Sequence, residues 1–322
     1  MTHQSNLFLF LEFAVTILFS PVILVIAWFH EICCGLFIKS VKSISGEVAV
    51  VTGGGNGLGK EICIQLAKKG CHIAVVDINI VAAEETAESI QKSFDVRAKA
   101  YKVDVSNPEQ VLRLPQHIAD DLGVATILVN NAGIMLLSHW VKPHWREVQH
   151  MINVNLAAHF WTLDAFLPKM KELGRGHVVA ISSLASVFAL PYLGAYTASK
   201  AGVNGLMRVL HQELRALNFK DIHTTTVLPF FLDTNPLVAA LFQKQRYGAT
   251  YSAVSGEKAA KRIVCGMLRN ELQITLPAFL SLVHRLLQFF PVSWQEWVYF
   301  KHANFEPNFN SEEIKLRELR KN

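Results

Sequence analysis

From Glu47 onward, short apolar runs alternate with stretches whose apolar residues recur at helical spacing. VAVVTG is an apolar run that ends in glycines. GKEICIQLAKKG follows it, with Ile62, Cys63 and Leu66 on one helix face and Gly70 as the stop. The pattern then repeats: HIAVVD as a strand, a polar helix around Ala82 to Lys92, AKAYKVDV as a strand, and a helix opened by Pro108 that runs towards Leu122. ATILVNNAG, HVVAISS and HTTTVLP read as three further strands. Between them lie a long helix over Trp145 to Leu173, which Pro168 must kink or interrupt, and a helix over Ala195 to Leu217. After Leu237 the pattern is irregular, and helix returns over Gly256 to Arg269. Strands without polar alternation are buried on both faces, and strands that alternate with helices pair in parallel. The expectation is a single doubly wound α/β domain over residues 45–270, with ligands at the carboxyl ends of its strands. No internal repeat or low-complexity linker interrupts it.

The N-terminus follows another pattern. Residues 7–29, LFLFLEFAVTILFSPVILVIAWF, carry Glu12 as their one charge. A spanning helix needs ~20 apolar residues, so the length suffices for a membrane anchor. A cleaved signal fits less well, because no basic stretch precedes the run and no small-x-small site follows it. Pro21 would kink a spanning helix or turn a hairpin. Lys39 and Lys42 follow the run and favour a cytosolic body. Residues 1–44 are therefore assigned to the anchor and 271–322 to an apolar C-terminal segment with a polar tail. Within that segment, Leu272 to Phe300 reads equally as an interfacial lid and as helices packed on the domain or on a partner subunit.

Composition supports a membrane location. Hydrophobic residues make up 51% of the 322 and charged residues 18%, a low charge content for a soluble protein. The net charge of +5 is not gathered into a basic stripe, which speaks against nucleic acid. The five cysteines include no C-x-x-C pair and read as reduced thiols; palmitoylation of Cys33 or Cys34 is a hypothesis beside the anchor. His139, His144, His150 and His159 show none of the zinc spacings and read as surface or packing histidines, so no metal is expected.

Thr52-Gly53-Gly54-Gly55-Asn56-Gly57-Leu58-Gly59 lies between a strand and a helix. Glycines there let the backbone approach a pyrophosphate, and the helix N-terminus supplies free N–H donors. Asp77 ends the second strand, 18 residues after Gly59, where a carboxylate accepts from the adenosine ribose hydroxyls and repels a 2′-phosphate. With Asn56 in the loop and no basic residue beside Asp77, the cofactor expected is NAD rather than NADP.

Tyr196 and Lys200 are four apart and share a helix face. A free phenol has a pKa of ~10, and a nearby ammonium with a positive nicotinamide ring lowers it enough for proton transfer. Ser183 is placed to hydrogen-bond the reacting oxygen. Ser182 and Tyr192 are the local rivals; Tyr192 lacks a lysine four residues on.

On these residues the chain resembles the short-chain dehydrogenase/reductase family over about residues 45–270. TGGGNGLG fits its glycine loop, and Asp104 with Val105, in VDV, fits its adenine-contacting acid. Asn130-Asn131-Ala132-Gly133 fits its NNAG stretch, Asn155 its asparagine, and Tyr196 to Lys200 its YxxxK, with Ser183 at the family's interval of 13 residues. The resemblance implies a Rossmann-type fold and a catalytic set of Asn155, Ser183, Tyr196 and Lys200. It also implies that Lys200 binds ribose, that Asn155 holds a relay water, and that Pro229, Leu232 and Thr234 hold the carboxamide of NAD. Phe230 stands where many members have glycine. The PFF-x-x-T variant, the DIN sequence after the second strand and the anchor resemble a membrane-bound branch of epidermal-type retinol and 17-beta-hydroxysteroid dehydrogenases, found on endoplasmic reticulum or lipid droplets. That kinship implies a lipophilic substrate (retinoid, steroid or fatty alcohol) and a homodimer through the two long helices. The alternative is a catalytically silent, membrane-bound NAD-binding scaffold.

Overall fold

The computed structural model describes residues 41–136, 144–188, 193–234 and 253–303. Residues 1–40 of the expected anchor, with Cys33 and Cys34, then His139, Tyr192, residues 237–251 and residues 304–322 of the tail lie outside the described residues, whereas Ile44, assigned to the anchor segment, is buried in the core of the sheet domain. Seven parallel strands form one sheet: β1 (Val48–Thr52), β2 (His72–Asp77), β3 (Ala98–Lys102), β4 (Ala125–Asn130), β5 (Gly176–Ile181), β6 (Ile222–Pro229) and β7 (Gln273–Leu276). Their order is β3-β2-β1-β4-β5-β6-β7. Chain direction across the sheet reverses between β1 and β4, and that reversal opens a crevice at the carboxyl ends of the strands.

The strands read as unbroken apolar runs because both faces are covered. Ala49 and Val51 of β1 point to one side. There they meet Ile62 and Leu66 of α1 (Gly57–Ala67), Ile90 of α2 (Ile80–Ser93) and Ile263 of α7 (Gly256–Leu268). Val48 and Val50 point to the other. They meet Ile118 of α3 (Pro108–Asp121), Met170 of α5 (Ala158–Glu172) and Met207 of α6 (Gly194–Ala216). Fully burying one such side chain contributes about 1.5–3 kcal/mol, and volume lost from either layer is felt directly. Asn79, Asn107 and Ser255 cap α2, α3 and α7 by accepting from the N–H three residues on.

Two features differ from the expected pattern. The helix over Trp145 to Leu173 is interrupted, but not at Pro168, which sits inside α5. The break is a π turn at Asn153–Ala157, between α4 (Trp145–Ile152) and α5. The sheet also runs one strand further than the sequence pattern indicated: β7 pairs with β6, with Leu276 opposite Pro229. Beyond it come α8 (Phe279–Leu287) and α9 (Val292–Ala303). The chain divides into two units, Met1–Lys42 and Ser43–Asn322, and the sheet belongs to the second. Among the described residues, no helix is long and apolar enough to cross a membrane.

Candidate active site

The glycine loop is built on contacts that no side chain could share. Gly53 (φ +63°) and Gly57 (φ +56°) are left-handed, and a Cβ on Gly59 would lie 2.0 Å from the Gly53 carbonyl oxygen. Thr52 locks this loop to the one after β4. Its Oγ1 accepts from the N–H groups of Asn131 (3.0 Å) and Ala132 (3.1 Å). Asn131 Nδ2 in turn donates to the carbonyls of Thr52 (2.9 Å) and Gly53 (3.1 Å). Asn56, the residue before α1, makes no side-chain cap bond, so the first-turn N–H groups keep their donor capacity, and Leu58 lines the cleft below. Asp77 is held at the far side of the loop. Its Oδ2 accepts from Gly55 N–H and its Oδ1 from Asn79 N–H, both at 2.9 Å.

Asp104 organises its own turn, its Oδ1 accepting from the N–H (2.9 Å) and hydroxyl (2.7 Å) of Ser106. Val105 packs behind the loop after β4 with Val154, Ala158, Ala132 and Ile134. On the opposite rim, Leu232 bridges to Val254, and Asp233 Oδ1 accepts from Gly256 N–H at 2.8 Å. This brings Thr234 beside the glycine loop, 3.5 Å from where a Cβ on Gly57 would sit.

The side chains expected to carry the chemistry enter from three elements. Tyr196 and Lys200 come from α6, Ser183 from the end of β5, and Asn155 from the π turn. A π turn inserts one residue into a helix and is a frequent device for presenting a side chain at a functional site. Asn155 Oδ1 accepts from Ile134 N–H (2.8 Å), and Nδ2 donates to Ile134 O (2.8 Å) and Ser199 Oγ (3.2 Å). Its amide therefore pins the loop that follows Gly133, and both of its N–H donors are taken. Gly133 passes close: a Cβ there would lie 3.3 Å from both Asn155 Oδ1 and Lys200 Nζ.

Lys200 Nζ donates to Ile181 O at 2.8 Å and lies 6.0 Å from the centre of the Tyr196 ring. Burial brings its ammonium down to about 8. Burial also pushes the Tyr196 phenol above its ordinary value, and the hydrogen-bonded Ser183 hydroxyl opposes that shift. In the protein alone, desolvation of the phenol outweighs the Ser183 hydrogen bond; the acidification expected from the sequence also draws on the positive nicotinamide ring. Ser182, the rival to Ser183, donates to the Lys200 carbonyl at 2.9 Å and serves the scaffold.

The family model described as short chain dehydrogenase matches residues 47–245. The chain belongs to the short-chain dehydrogenase family. It is 34% identical over 241 residues to short-chain dehydrogenase/reductase family 16C member 6 of Bos taurus, covering 75% of each chain. It is 32% identical over 250 residues to 17-beta-hydroxysteroid dehydrogenase 13 of Homo sapiens, covering 78% of this chain and 81% of that one. A crystal structure of NAD+-bound xylitol dehydrogenase shares the fold, with a TM-score of 0.67, 21% identity, and 73% of this chain and 99% of that chain covered. As a short-chain dehydrogenase the chain is an oxidoreductase of CH–OH groups.

In this short-chain dehydrogenase, Ser183, Tyr196, Lys200, Asn131 and Gly133 line one cleft of about 240 Å³. Its apolar wall includes Ile134, Met135, Leu193, Phe230 and Phe231, none of which the sequence singled out as site residues. Phe230 and Phe231 pack edge to face with ring centres 4.6 Å apart. Among the described residues only Asn218 and Asn270 are non-glycines with positive φ, so phenylalanine in the usual glycine position carries no left-handed strain. His159, expected as a packing histidine, is 2% exposed, and among the described residues its Nδ1 has no hydrogen-bond partner. Burial and the Lys200 charge hold it at about 3, and therefore neutral. Its signal in the sequence was its place four residues after Asn155. No group of three metal-ligating side chains occurs among the described residues.

Proposed function

We propose that the chain is an NAD-dependent oxidoreductase that interconverts a lipophilic alcohol (retinoid, steroid or fatty alcohol) and its carbonyl. The observation that carries this reading is the convergence of Ser183, Tyr196 and Lys200 on a cleft whose other wall is Phe230 and Phe231. The residues fit a dinucleotide. The glycine loop tolerates no Cβ at Gly59, the N-terminus of α1 is uncapped, and Asp77 presents a carboxylate with lone pairs to spare beyond its two backbone bonds. A carboxylate there disfavours a 2′-phosphate, which supports NAD over NADP.

When bound, NAD supplies the hydride acceptor for oxidation. Tyr196 takes the proton of the substrate hydroxyl, and in reduction it returns that proton to the carbonyl oxygen. Ser183 donates a hydrogen bond to the same oxygen. Lys200, a cation of lowered pKa on the same helix face, binds ribose hydroxyls and stabilises the phenolate. Asn155 keeps the loop carrying Gly133 in register. With its side-chain donors committed, any relay water it holds rests on its backbone.

The apolar run at 7–29 anchors the chain in the endoplasmic reticulum or lipid-droplet membrane, with the catalytic body in the cytosol. Exposed Trp145, Phe160 and Val209 on α4, α5 and α6 support a homodimer through these helices. Purified protein in detergent should reduce NAD, and NADP poorly, with one or more of a panel of lipophilic alcohols. Tyr196→Phe should lower kcat at least about a hundredfold while leaving NAD binding intact. Saturable NAD binding without turnover of any alcohol would instead favour the silent scaffold.

A further inference from the structure

Along the chain the neighbours of Asp77 are Val76 and Ile78, and neither is basic. The sheet gives it another neighbour. β2 and β3 pair in parallel with Asp77 opposite Lys102, and the ladder runs one step further, where Val103 N–H donates to Asp77 O at 3.0 Å. Alternation along each strand fixes the face. Ile73 and Val75 of β2, with Ala98 and Ala100 of β3, join the layer under α1 and α2. Asp77 and Lys102 are the next members of those two series and emerge on the same side. Lys99 and Tyr101 take the opposite face, where both donate to Asp121, at 2.6 and 3.0 Å. Lys102 is exposed and forms no ion pair among the described residues.

These positions border the adenosine end of the cofactor site. Asp77 is assigned to the ribose, and Asp104, assigned to the adenine, lies two residues after Lys102. Neighbouring strands are about 4.8 Å apart, and lysine carries its charge on a flexible four-carbon stem. The Lys102 ammonium therefore has the reach to cover the ground beside Asp77. The carboxylate itself is pinned by Gly55 and Asn79 N–H groups. A ribose 2′-hydroxyl is neutral and a 2′-phosphate is an anion, so a cation here acts on one cofactor far more than on the other.

We propose that Lys102 is a second specificity-determining residue of the cofactor site, its ammonium attracting the 2′-phosphate that Asp77 repels. The chain then favours NAD over NADP by less than Asp77 alone would impose. The inference rests on the reading of Asp77 as the residue that meets the adenosine ribose.

Calorimetric titration of the full-length protein in detergent, with NAD and with NADP at low ionic strength, provides the test. Lys102→Gln removes the charge and keeps an exposed polar side chain. It should weaken NADP about tenfold and shift NAD by less than about twofold. Lys102→Arg keeps the charge and should bind NADP as the wild type does. Added salt should shrink the NADP difference between wild type and Lys102→Gln, because exposed charges are screened. In the Asp77→Asn background, where NADP binds more tightly, Lys102→Gln should again weaken NADP about tenfold. Equal shifts for the two cofactors, or none, overturn the proposal. So does a Lys102 effect that vanishes in the Asp77→Asn background, because the lysine would then act on the carboxylate and not on the phosphate. If Asp77→Asn leaves both affinities where they were, the assignment of Asp77 to the ribose falls, and the proposal falls with it.

Discussion

Lys200 is an ammonium almost cut off from water. It is 3% exposed, and its ammonium donates to the Ile181 carbonyl. Burial brings its pKa to about 8, while a lysine in an unfolded chain titrates near ~10.4. Between these values the unfolded chain binds more protons, so stability rises with pH across that window and the charged lysine is a cost below it. Lys200→Met should therefore abolish turnover yet stabilise the free protein by about 1–3 kcal/mol at neutral pH. The gap should close as pH is raised above about 10. Thermal melts at the two pH values decide it, and a lower Tm for the variant at neutral pH would refute it. His159 behaves the same way at acid pH. Its folded pKa of about 3 lies below the usual value, so its share of stability is complete above about pH 6.5 and is lost as pH falls, at about 1.4 kcal/mol per unit. Gln at 159 does not titrate, so the acid-unfolding midpoint of His159→Gln, followed by circular dichroism, should move to lower pH. Tyr196 and Lys200 stood out in the sequence because their spacing places them on one helix face, and Ser183 because the family resemblance implies a serine 13 residues before the tyrosine. The state of His159 was not legible there, because a histidine's pKa depends on what the fold packs around it.

The π turn at Asn153–Ala157 shows what a whole element adds to a single side chain. NVNLA has no residue that marks a wide turn, and the amphipathic pattern runs through it; only the backbone hydrogen bonds disclose the inserted residue. The sequence pointed instead to Pro168, whose missing N–H the helix tolerates within its run. Four-residue β7 escaped for a related reason: QITL, inside a longer apolar stretch, is too short for a period to separate strand from helix. The π turn has an energetic consequence as well. It aims Asn155 so that one amide satisfies both the N–H and the carbonyl of Ile134. Removing it leaves two backbone groups unpaired in a part-buried loop. Asn155→Ala should cost about 2–3 kcal/mol in urea unfolding, whereas Asn155→Asp, which keeps the acceptor, should cost less. Equal losses would mean that the bond to Ile134 O, which needs the amide donor, carries the effect.

At the scale of the molecule, the site exists because the sheet reverses between β1 and β4. Loops distant in sequence meet there: the glycine loop, the Asn131–Gly133 loop and the Leu232–Thr234 rim, held by Thr52–Asn131 and Asp233–Gly256 bonds. A dinucleotide laid across them binds the native fold alone, because unfolding scatters its contacts over more than 150 residues of sequence. Such a ligand stabilises by mass action, about 2.7 kcal/mol at a hundred times its Kd. NAD should thus raise Tm by several degrees, and NADP at equal concentration should raise it much less, because a 2′-phosphate would meet Asp77. That carboxylate is held in place by Gly55 and Asn79 N–H groups and has no room to swing away while both bonds stand. Asp77→Asn keeps the size and an acceptor but removes the negative charge. It should narrow the difference between the two cofactors to within about tenfold in Kd. If NADP stabilised the wild type as well as NAD does, the charge at Asp77 would not be reading the ribose, and the preference for NAD would have to arise elsewhere along the glycine loop.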